Sequence, residues 1–239
     1  MSQKVVFITG ASKGIGKAIA ERLGRAPGEY RLALFARGKE KLEGIVSGLK
    51  AESMVVAGDV TREEDVREAV EAVVARFGRI DVLINNAGIG TFKRVDEFSL
   101  AEFEEVQRVN VTGPFLCTKY VVPRLIEQKS GQIINISSVA GLNGFKGGAA
   151  YAASKFALNG FTESLREDVK QYGVAVTAVC PGSVATGFGG YDEEARRKQD
   201  YALEADDVAR TVEYLVSESE TANAKLIELK PRRRMDTRG

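Results

Sequence analysis

Histidine is absent from the 239-residue sequence. That removes a Ser-His-Asp triad, a histidine general base and every metal motif that needs an imidazole. Proton chemistry in this chain therefore falls to Tyr, Lys or carboxylates, and no metal site is expected. Cysteine is scarce: Cys117 and Cys180 are the only two. They stand far apart in apolar segments, with neither a disulfide framework nor zinc spacing, and read as small core residues of a reducing compartment. An excess of one charge is missing too, with 34 basic side chains against 33 acidic ones. Partners that select a basic surface, nucleic acid or a membrane face, are not expected. No apolar run approaches the ~18–20 residues of a bilayer span. A strand-like pattern is under way by Lys4, so no secretory leader is expected and the reading is cytoplasmic.

What the sequence has is alternation. Short apolar runs at Val5–Ile8, Leu32–Phe35, Met54–Ala57, Val82–Ile84, Ile133–Ile136, Val174–Val179 and Lys225–Leu229 predict seven strands. Between them, helical periods cover about Ile15–Gly24, Lys39–Leu49, Thr61–Phe77, Leu100–Gln128, Ala150–Tyr172 and a segment containing Asp206–Ser217. Thr61 with Glu64 reads as a helix cap, and Gly113-Pro114 as an interruption of the long fourth helix. Continuous apolar strands separated by helices imply a parallel sheet covered on both faces. The expected fold is α/β: one doubly wound, Rossmann-like domain over residues 1–239, with a seven-stranded parallel sheet. A substrate lid is expected at about 183–203 and a flexible basic tail at 231–239.

Thr9-Gly10-Ala11-Ser12-Lys13-Gly14-Ile15-Gly16 lies between the first strand and the first helix. Glycines there let the backbone turn tightly and approach a pyrophosphate, while the helix start offers unpaired N–H groups and a positive dipole. Cofactor choice is legible after the second strand. NAD-selecting folds place an acid there for the ribose 2′-hydroxyl; this chain has Ala36-Arg37-Gly38, and Lys13 adds a second cation. A guanidinium grips a 2′-phosphate in bidentate fashion, so NADP(H) is favoured over NAD(H).

Asn85-Asn86-Ala87-Gly88 follows the fourth strand and Ser137-Ser138 the fifth, where ligands of doubly wound sheets collect. Tyr151 and Lys155 follow on the next helix, one turn apart and therefore on one face. A Tyr-x-x-x-Lys match alone carries little weight; its position thirteen residues beyond Ser138 gives it meaning.

At these residues the chain resembles the short-chain dehydrogenase/reductase family, in the branch of roughly 250 residues. The resemblance covers the whole chain: TGASKGIG at 9–16, DV at 59–60, NNAG at 85–88, Asn110, NISS at 135–138, YAASK at 151–155, and PG at 181–182 with Thr186. It implies a catalytic set of Asn110, Ser138, Tyr151 and Lys155. Tyr151 would protonate a carbonyl oxygen, or take the proton back in the reverse direction. Ser138 would donate to the developing alkoxide, Lys155 would also bond the nicotinamide ribose, and Asn110 would hold a water behind Lys155. An unperturbed tyrosine titrates near 10, and lowering that by about three units takes roughly 4 kcal/mol. One ammonium about 4 Å away supplies roughly that at an effective dielectric near 20, and Lys155 is expected to do so.

The resemblance further implies cofactor contacts at Gly10, Ser12, Lys13, Gly14, Ile15, Gly16, Arg37, Asp59, Val60, Asn86, Ala87, Gly88, Tyr151, Lys155, Pro181, Gly182, Val184 and Thr186. Asp59 reads equally as a cap for the helix near Thr61, and Pro181 as a strand stop. Substrate recognition falls to Ile89–Lys93, Val139–Gly148 and Gly187–Tyr201, with Ser138, Leu142, Asn143, Tyr151 and Phe188 as contacts and Phe145 as a further wall. The charged run Asp192–Lys198 reads as the solvated face of a lid helix. Acyl-carrier-protein-linked ketoacyl reductases usually end in a VDGG-like segment, whereas this chain ends Ile227-Glu228-Leu229-Lys230-Pro231 and then Arg232–Arg234. A role in fatty-acid synthesis is therefore not expected. A homotetramer or homodimer is implied through the two long helices, where Phe103, Val106, Phe156, Leu158 and Phe161 suit core or interface alike. The expected activity is NADPH-dependent reduction of a small carbonyl compound. The oxidative direction uses the same residues, and a nucleotide sensor without turnover is the reading from another class.

Overall fold

Strands that are apolar on both faces must be covered on both, and the computed structural model of the chain shows how. It describes residues 3–197, 202–219 and 221–232. The strands are β1 (Lys4–Thr9), β2 (Tyr30–Ala36), β3 (Glu52–Ala57), β4 (Val82–Asn85), β5 (Gly131–Ile136), β6 (Val174–Pro181) and β7 (Leu226–Leu229). They form one sheet in the order β3-β2-β1-β4-β5-β6-β7, and every pairing is parallel. The helices are α1 (Gly14–Leu23), α2 (Lys39–Val46), α3 (Glu63–Phe77), α4 (Leu100–Gln107), α5 (Gly113–Gln128), α6 (Ala149–Val169), α7 (Glu193–Arg197) and α8 (Ala205–Ser217).

Side chains alternate across each strand, so β1 feeds two cores. Val6 and Ile8 join Ile19, Leu23, Val208 and Val212 on one face. Val5 and Phe7 join Val66, Val73, Val121 and Leu165 on the other. The two cysteines are buried and unpaired, as their apolar surroundings implied. No helix among the described residues is long and apolar enough to cross a membrane.

Chain order places the site. From β1 the sheet grows outward through β2 and β3, and β4 then returns to the opposite side of β1. The crevice beyond the carboxyl ends of β1 and β4 is therefore the topological switch point, where such folds bind ligands.

Two local expectations are corrected. Thr61 does not cap α3: Arg62 holds that position without a side-chain bond. The Asp59 carboxylate instead accepts from the Thr61 N–H at 2.9 Å and from its hydroxyl at 2.8 Å. The long fourth helix is broken before Gly113-Pro114, by a π-helical turn at Arg108–Thr112. Proline at the start of α5 lacks only a donor that would be unpaired there anyway. Of the residues suited to core or interface, Val106 and Leu158 are buried, while Phe103 and Phe156 stay 38% and 49% exposed.

Candidate active site

The glycine loop is held by the segment after β4. Gly10 has φ +65°, and a Cβ there would meet the Ala87 Cα at 2.7 Å; one on Gly16 would meet the Gly10 carbonyl oxygen at 2.4 Å. Thr9 and Asn86 lock the two segments together. The Thr9 hydroxyl accepts from the backbone N–H groups of Asn86 and Ala87, both at 3.0 Å. The Asn86 side-chain amide donates to the Thr9 carbonyl at 2.9 Å and to that of Gly10 at 3.2 Å. The Asn86 side chain is thus spent on positioning the loop. Lys13 is exposed and caps α1 in extended backbone with no side-chain bond, so the first N–H groups of the helix have no capping side chain.

The remaining cofactor candidates line the same edge of the sheet. Arg37 is exposed just beyond β2, and Asp59 is half-buried beyond β3. Burial pushes the Asp59 carboxyl up, but the two Thr61 bonds and the nearby Arg37 and Arg108 charges outweigh it and hold it below the usual range. Val60 is buried against the start of α5, within 3.0 Å of where a Gly113 Cβ would stand. Pro181 ends β6, and the Gly182 N–H donates to Leu229 at 2.8 Å. Val184 pairs with Leu203 in an isolated bridge, which ties together the two ends of the segment expected as a lid. Thr186 is buried, with its methyl 3.5 Å from the place of a Gly14 Cβ. Lys198 within that segment, and Arg233 and Arg234 of the basic tail, lie outside the described residues. A cavity of about 540 Å³ opens between α1 and α2 beside Ser12, and Lys17, Arg25, Lys41 and Lys50 line it against Glu21.

Ser138, Tyr151 and Lys155 converge beyond β5. Each is buried, with 9%, 9% and 4% of its surface exposed. Ser138 stands beside Tyr151 and draws the phenol down. Its hydroxyl oxygen also accepts from the Ala140 N–H at 3.1 Å, and a looser contact runs to the Pro181 carbonyl at 3.4 Å. Lys155 Nζ donates to the Ile136 carbonyl at 2.9 Å and lies 5.7 Å from the centre of the Tyr151 ring.

The expected depression of Tyr151 by Lys155 is not what this structure holds. Burial raises the phenol to about 12, with the nearby Ser138 hydroxyl pulling the other way. Burial lowers the ammonium to about 8. Taking charge out of water penalises the phenolate and the ammonium alike, and the lysine is bonded to the end of β5 rather than to the tyrosine.

Asn110 sits in the π-helical turn, fully buried. Its side-chain amide donates to Ile89 at 2.8 Å and to the Ser154 hydroxyl at 3.0 Å, and its oxygen accepts from the Ile89 N–H at 2.8 Å. Ser154 in turn donates to the Tyr151 carbonyl at 2.7 Å. This side chain joins the loop after β4 to α6. Sequence reasoning missed a second brace. Asn159 donates to the Gly141 carbonyl at 3.0 Å, and Gly141 leaves no room for a Cβ, which would stand 2.7 Å from the Lys155 carbonyl oxygen.

The side expected to face a substrate is aromatic. Phe92 and Phe188 lie 5.6 and 5.5 Å from the Tyr151 ring, and Phe145 and Tyr191 each lie 5.9 Å from Phe92. Phe188 and Phe145 were expected here. Phe92, at the centre, was visible only as part of a substrate segment. Asn143 was expected as a wall but is exposed, and Leu142 beside it is half-buried; both follow a 3-10 turn (Val139–Gly141) that aims the chain outward.

Comparison with known proteins gives the family and the fold. The family model described as short chain dehydrogenase matches residues 4–197. An uncharacterised oxidoreductase of Staphylococcus epidermidis is 32% identical over 231 residues, covering 97% of this chain and 98% of its own. An alcohol dehydrogenase of Thermococcus sibiricus, solved with 5-hydroxy-NADP, is 31% identical with a TM-score of 0.86, covering 98% of this chain and 99% of that one. A 3-ketoacyl-(acyl-carrier-protein) reductase of Brucella melitensis, solved with NADH, is 27% identical with a TM-score of 0.88, covering 97% and 98%.

Proposed function

The chain belongs to the short-chain dehydrogenase/reductase family, and on that premise we propose that it is an NADP(H)-dependent oxidoreductase that reduces a carbonyl group of a small molecule to the alcohol. The observation that carries this reading is the convergence of Ser138, Tyr151 and Lys155 beside the switch-point crevice, with Tyr151 buried next to Ser138.

The residues present suit a dinucleotide. Gly10 and Gly16 leave no room for side chains, which lets the loop pack on the segment after β4, and the start of α1 offers N–H donors for a pyrophosphate. Lys13 and Arg37 would hold a 2′-phosphate, with the cations of the cavity beside Ser12 adding to the positive field. Tyr151, Lys155 and Pro181–Thr186 would hold the nicotinamide half. When bound, the nicotinamide supplies the hydride, which no side chain can.

The chain's own part is the proton. Tyr151 carries its proton at neutral pH, as any phenol titrating near 10 or above does. Burial, which raises it to about 12, makes it a weaker acid whose loss of the proton needs a cation beside it. The carbonyl oxygen takes that proton while Ser138 donates to it, a contribution of about 2.7–4 kcal/mol when such a donor meets a developing oxyanion. Lys155 is charged below about pH 8 and lies on the tyrosine's ring face, where it stabilises the tyrosinate left behind. Asn110 is a positioning residue that fixes α6 against the loop after β4.

The test is absorbance at 340 nm with purified protein, NADPH or NADH, and a panel of neutral and charged carbonyl compounds. Turnover with NADPH in preference to NADH supports the reading. Tight NADPH binding with no turnover of any carbonyl or alcohol would replace it with a sensing role.

A further inference from the structure

Phe92 stands at the centre of a ring cage. Its neighbours are Tyr151 at 5.6 Å, edge-on at 78°, Phe145 and Tyr191 at 5.9 Å each, and Phe188 at 6.5 Å. All these spacings fall where aromatic pairs attract. Glycines make the arrangement fit. A Cβ on Gly90 would come within 2.7 Å of Phe188 and 2.8 Å of Phe92, one on Gly189 within 2.5 Å of Phe92, and one on Gly148 within 2.3 Å of Phe145. Phe92 and Phe188 are half-buried and roof Tyr151. Phe145 and Tyr191 form the outer rim at 48% and 46% exposure.

Charge around the cage does not favour an anion. Lys155 is occupied by the Ile136 carbonyl. Lys93, next to Phe92, is paired with Glu102 at 2.6 Å and stands over Phe98. Lys146 is exposed beside Phe145, where solvent screens it. Across the rim, Tyr191 is followed by Asp192, Glu193 and Glu194. A carboxylate entering between the rings would lose its water and gain no described partner.

We propose that the substrates of this site are neutral compounds whose carbonyl lies in or directly beside a flat six-membered ring, and that Phe92 determines this specificity. The inference rests on the carbonyl-reductase reading and narrows it. A carbonyl oxygen that reaches Tyr151 and Ser138 leaves the rest of its molecule between Phe92 and Phe188. The Phe92 ring now fills the space beside the tyrosine that a substrate ring takes when Phe92 lifts. Gly90 before it, and Gly189 and Gly190 across from it at φ +71° and +79°, sit where the two roof segments would bend.

Three matched α-keto compounds test this: ethyl benzoylformate (ring, neutral), benzoylformate (ring, anionic) and ethyl 2-oxohexanoate (no ring, neutral). The parent protein is expected to show at least tenfold higher kcat/KM for ethyl benzoylformate than for either of the others. Phe92→Leu is expected to cut that preference at least fivefold, chiefly through KM, with the NADPH dissociation constant kept as a check on folding. Equal use of the three compounds by the parent, or an unchanged preference in Phe92→Leu, overturns the proposal. A binding readout separates its failure from that of the reductase reading. The sequence contains no tryptophan, so Phe92→Trp places a single reporter in the cage. Saturable quenching by ethyl benzoylformate, beyond that of free N-acetyltryptophanamide, supports the ring site. Quenching without turnover of any carbonyl by the parent would keep the ring site and overturn the reductase reading. No saturable quenching overturns the ring site.

Discussion

Lys155 Nζ donates to the Ile136 carbonyl at 2.9 Å, and the Tyr151 ring lies to its side with its centre 5.7 Å away. The lysine is therefore seated on the end of β5, the same strand that leads into Ser138. A buried ammonium held by one neutral carbonyl is an expensive arrangement, and its consequence reaches stability as well as chemistry.

Burial lowers Lys155 to about 8 in the folded chain, from 10.5. Between those values the unfolded chain binds the extra proton, so this group makes stability rise with pH across that window, and its penalty is complete below about pH 8. The shift corresponds to roughly 3 kcal/mol, and the variant gives up about 1 kcal/mol of that relief by losing the bond to Ile136. Lys155→Met is therefore expected to stabilise the cofactor-free protein at pH 7 by about 2 kcal/mol while removing activity. Urea unfolding at pH 7 and pH 10 checks both: the gain should shrink at the higher pH. A destabilised variant at pH 7 would show that the ammonium is better paired than its contacts indicate.

Tyr151→Phe removes one hydroxyl and keeps the ring that packs with Phe92 and Phe188. A positioned proton donor contributes on the order of 10²–10⁴-fold to a rate, so turnover is expected to fall roughly a thousandfold. NADPH affinity should stay within about threefold of the parent, because the hydroxyl is a small part of the cofactor's contacts. Single-turnover absorbance and cofactor titration measure the two effects separately. A variant retaining a tenth of parental kcat would assign the proton to another group.

Arg37 stands exposed beyond β2, and its charge adds to the two Thr61 bonds that, against burial, hold the Asp59 carboxyl below the usual range. Arg37→Asp exchanges attraction for repulsion toward a 2′-phosphate. The ratio of kcat/KM for NADPH over NADH is expected to drop at least tenfold. An unchanged ratio would place Arg37 outside the cofactor site.

Gly16→Ala tests the junction between the glycine loop and the segment after β4. The added methyl would stand 2.4 Å from the Gly10 carbonyl oxygen and 2.4 Å from the Asn86 amide. The backbone oxygen cannot move without unseating the loop. A loss of about 1–3 kcal/mol in stability, the usual penalty of overpacking, and a cofactor affinity at least tenfold weaker are expected by calorimetry. Parental affinity would mean that the loop relaxes freely.

The sheet was legible because short apolar runs alternate with helical periods along the chain, whereas the strand order appears only in the folded structure. The glycine loop, Ser138, Tyr151 and Lys155 stood out through their motifs and the resemblance these carry, and the structure gathers the last three beyond β5. Other features left little trace in the sequence. Phe92, Phe145 and Phe188 come from three separate loops, each contributing an aromatic ring with no period to mark it, and only folding brings them together. The Asn159 bond to Gly141 looks in sequence like any polar residue on a helix. The π-helical turn at Arg108–Thr112 is set by Asn110 bonding to Ile89 and Ser154, contacts 21 and 44 residues away. The state of Lys155 and Tyr151 departs from expectation because spacing reveals pairwise attraction, whereas burial exists only in the folded chain.

The central claim is that this site moves a hydride and a Tyr151 proton onto a carbonyl. The most direct measurement supplies NADPH deuterated at the transferred position together with ethyl benzoylformate, and follows the product by mass spectrometry and the cofactor by absorbance. The account predicts one deuterium in each alcohol formed, one cofactor oxidised per alcohol, and loss of both signals in Tyr151→Phe. Alcohol without the deuterium, or equal yields from the parent and Tyr151→Phe, would contradict it.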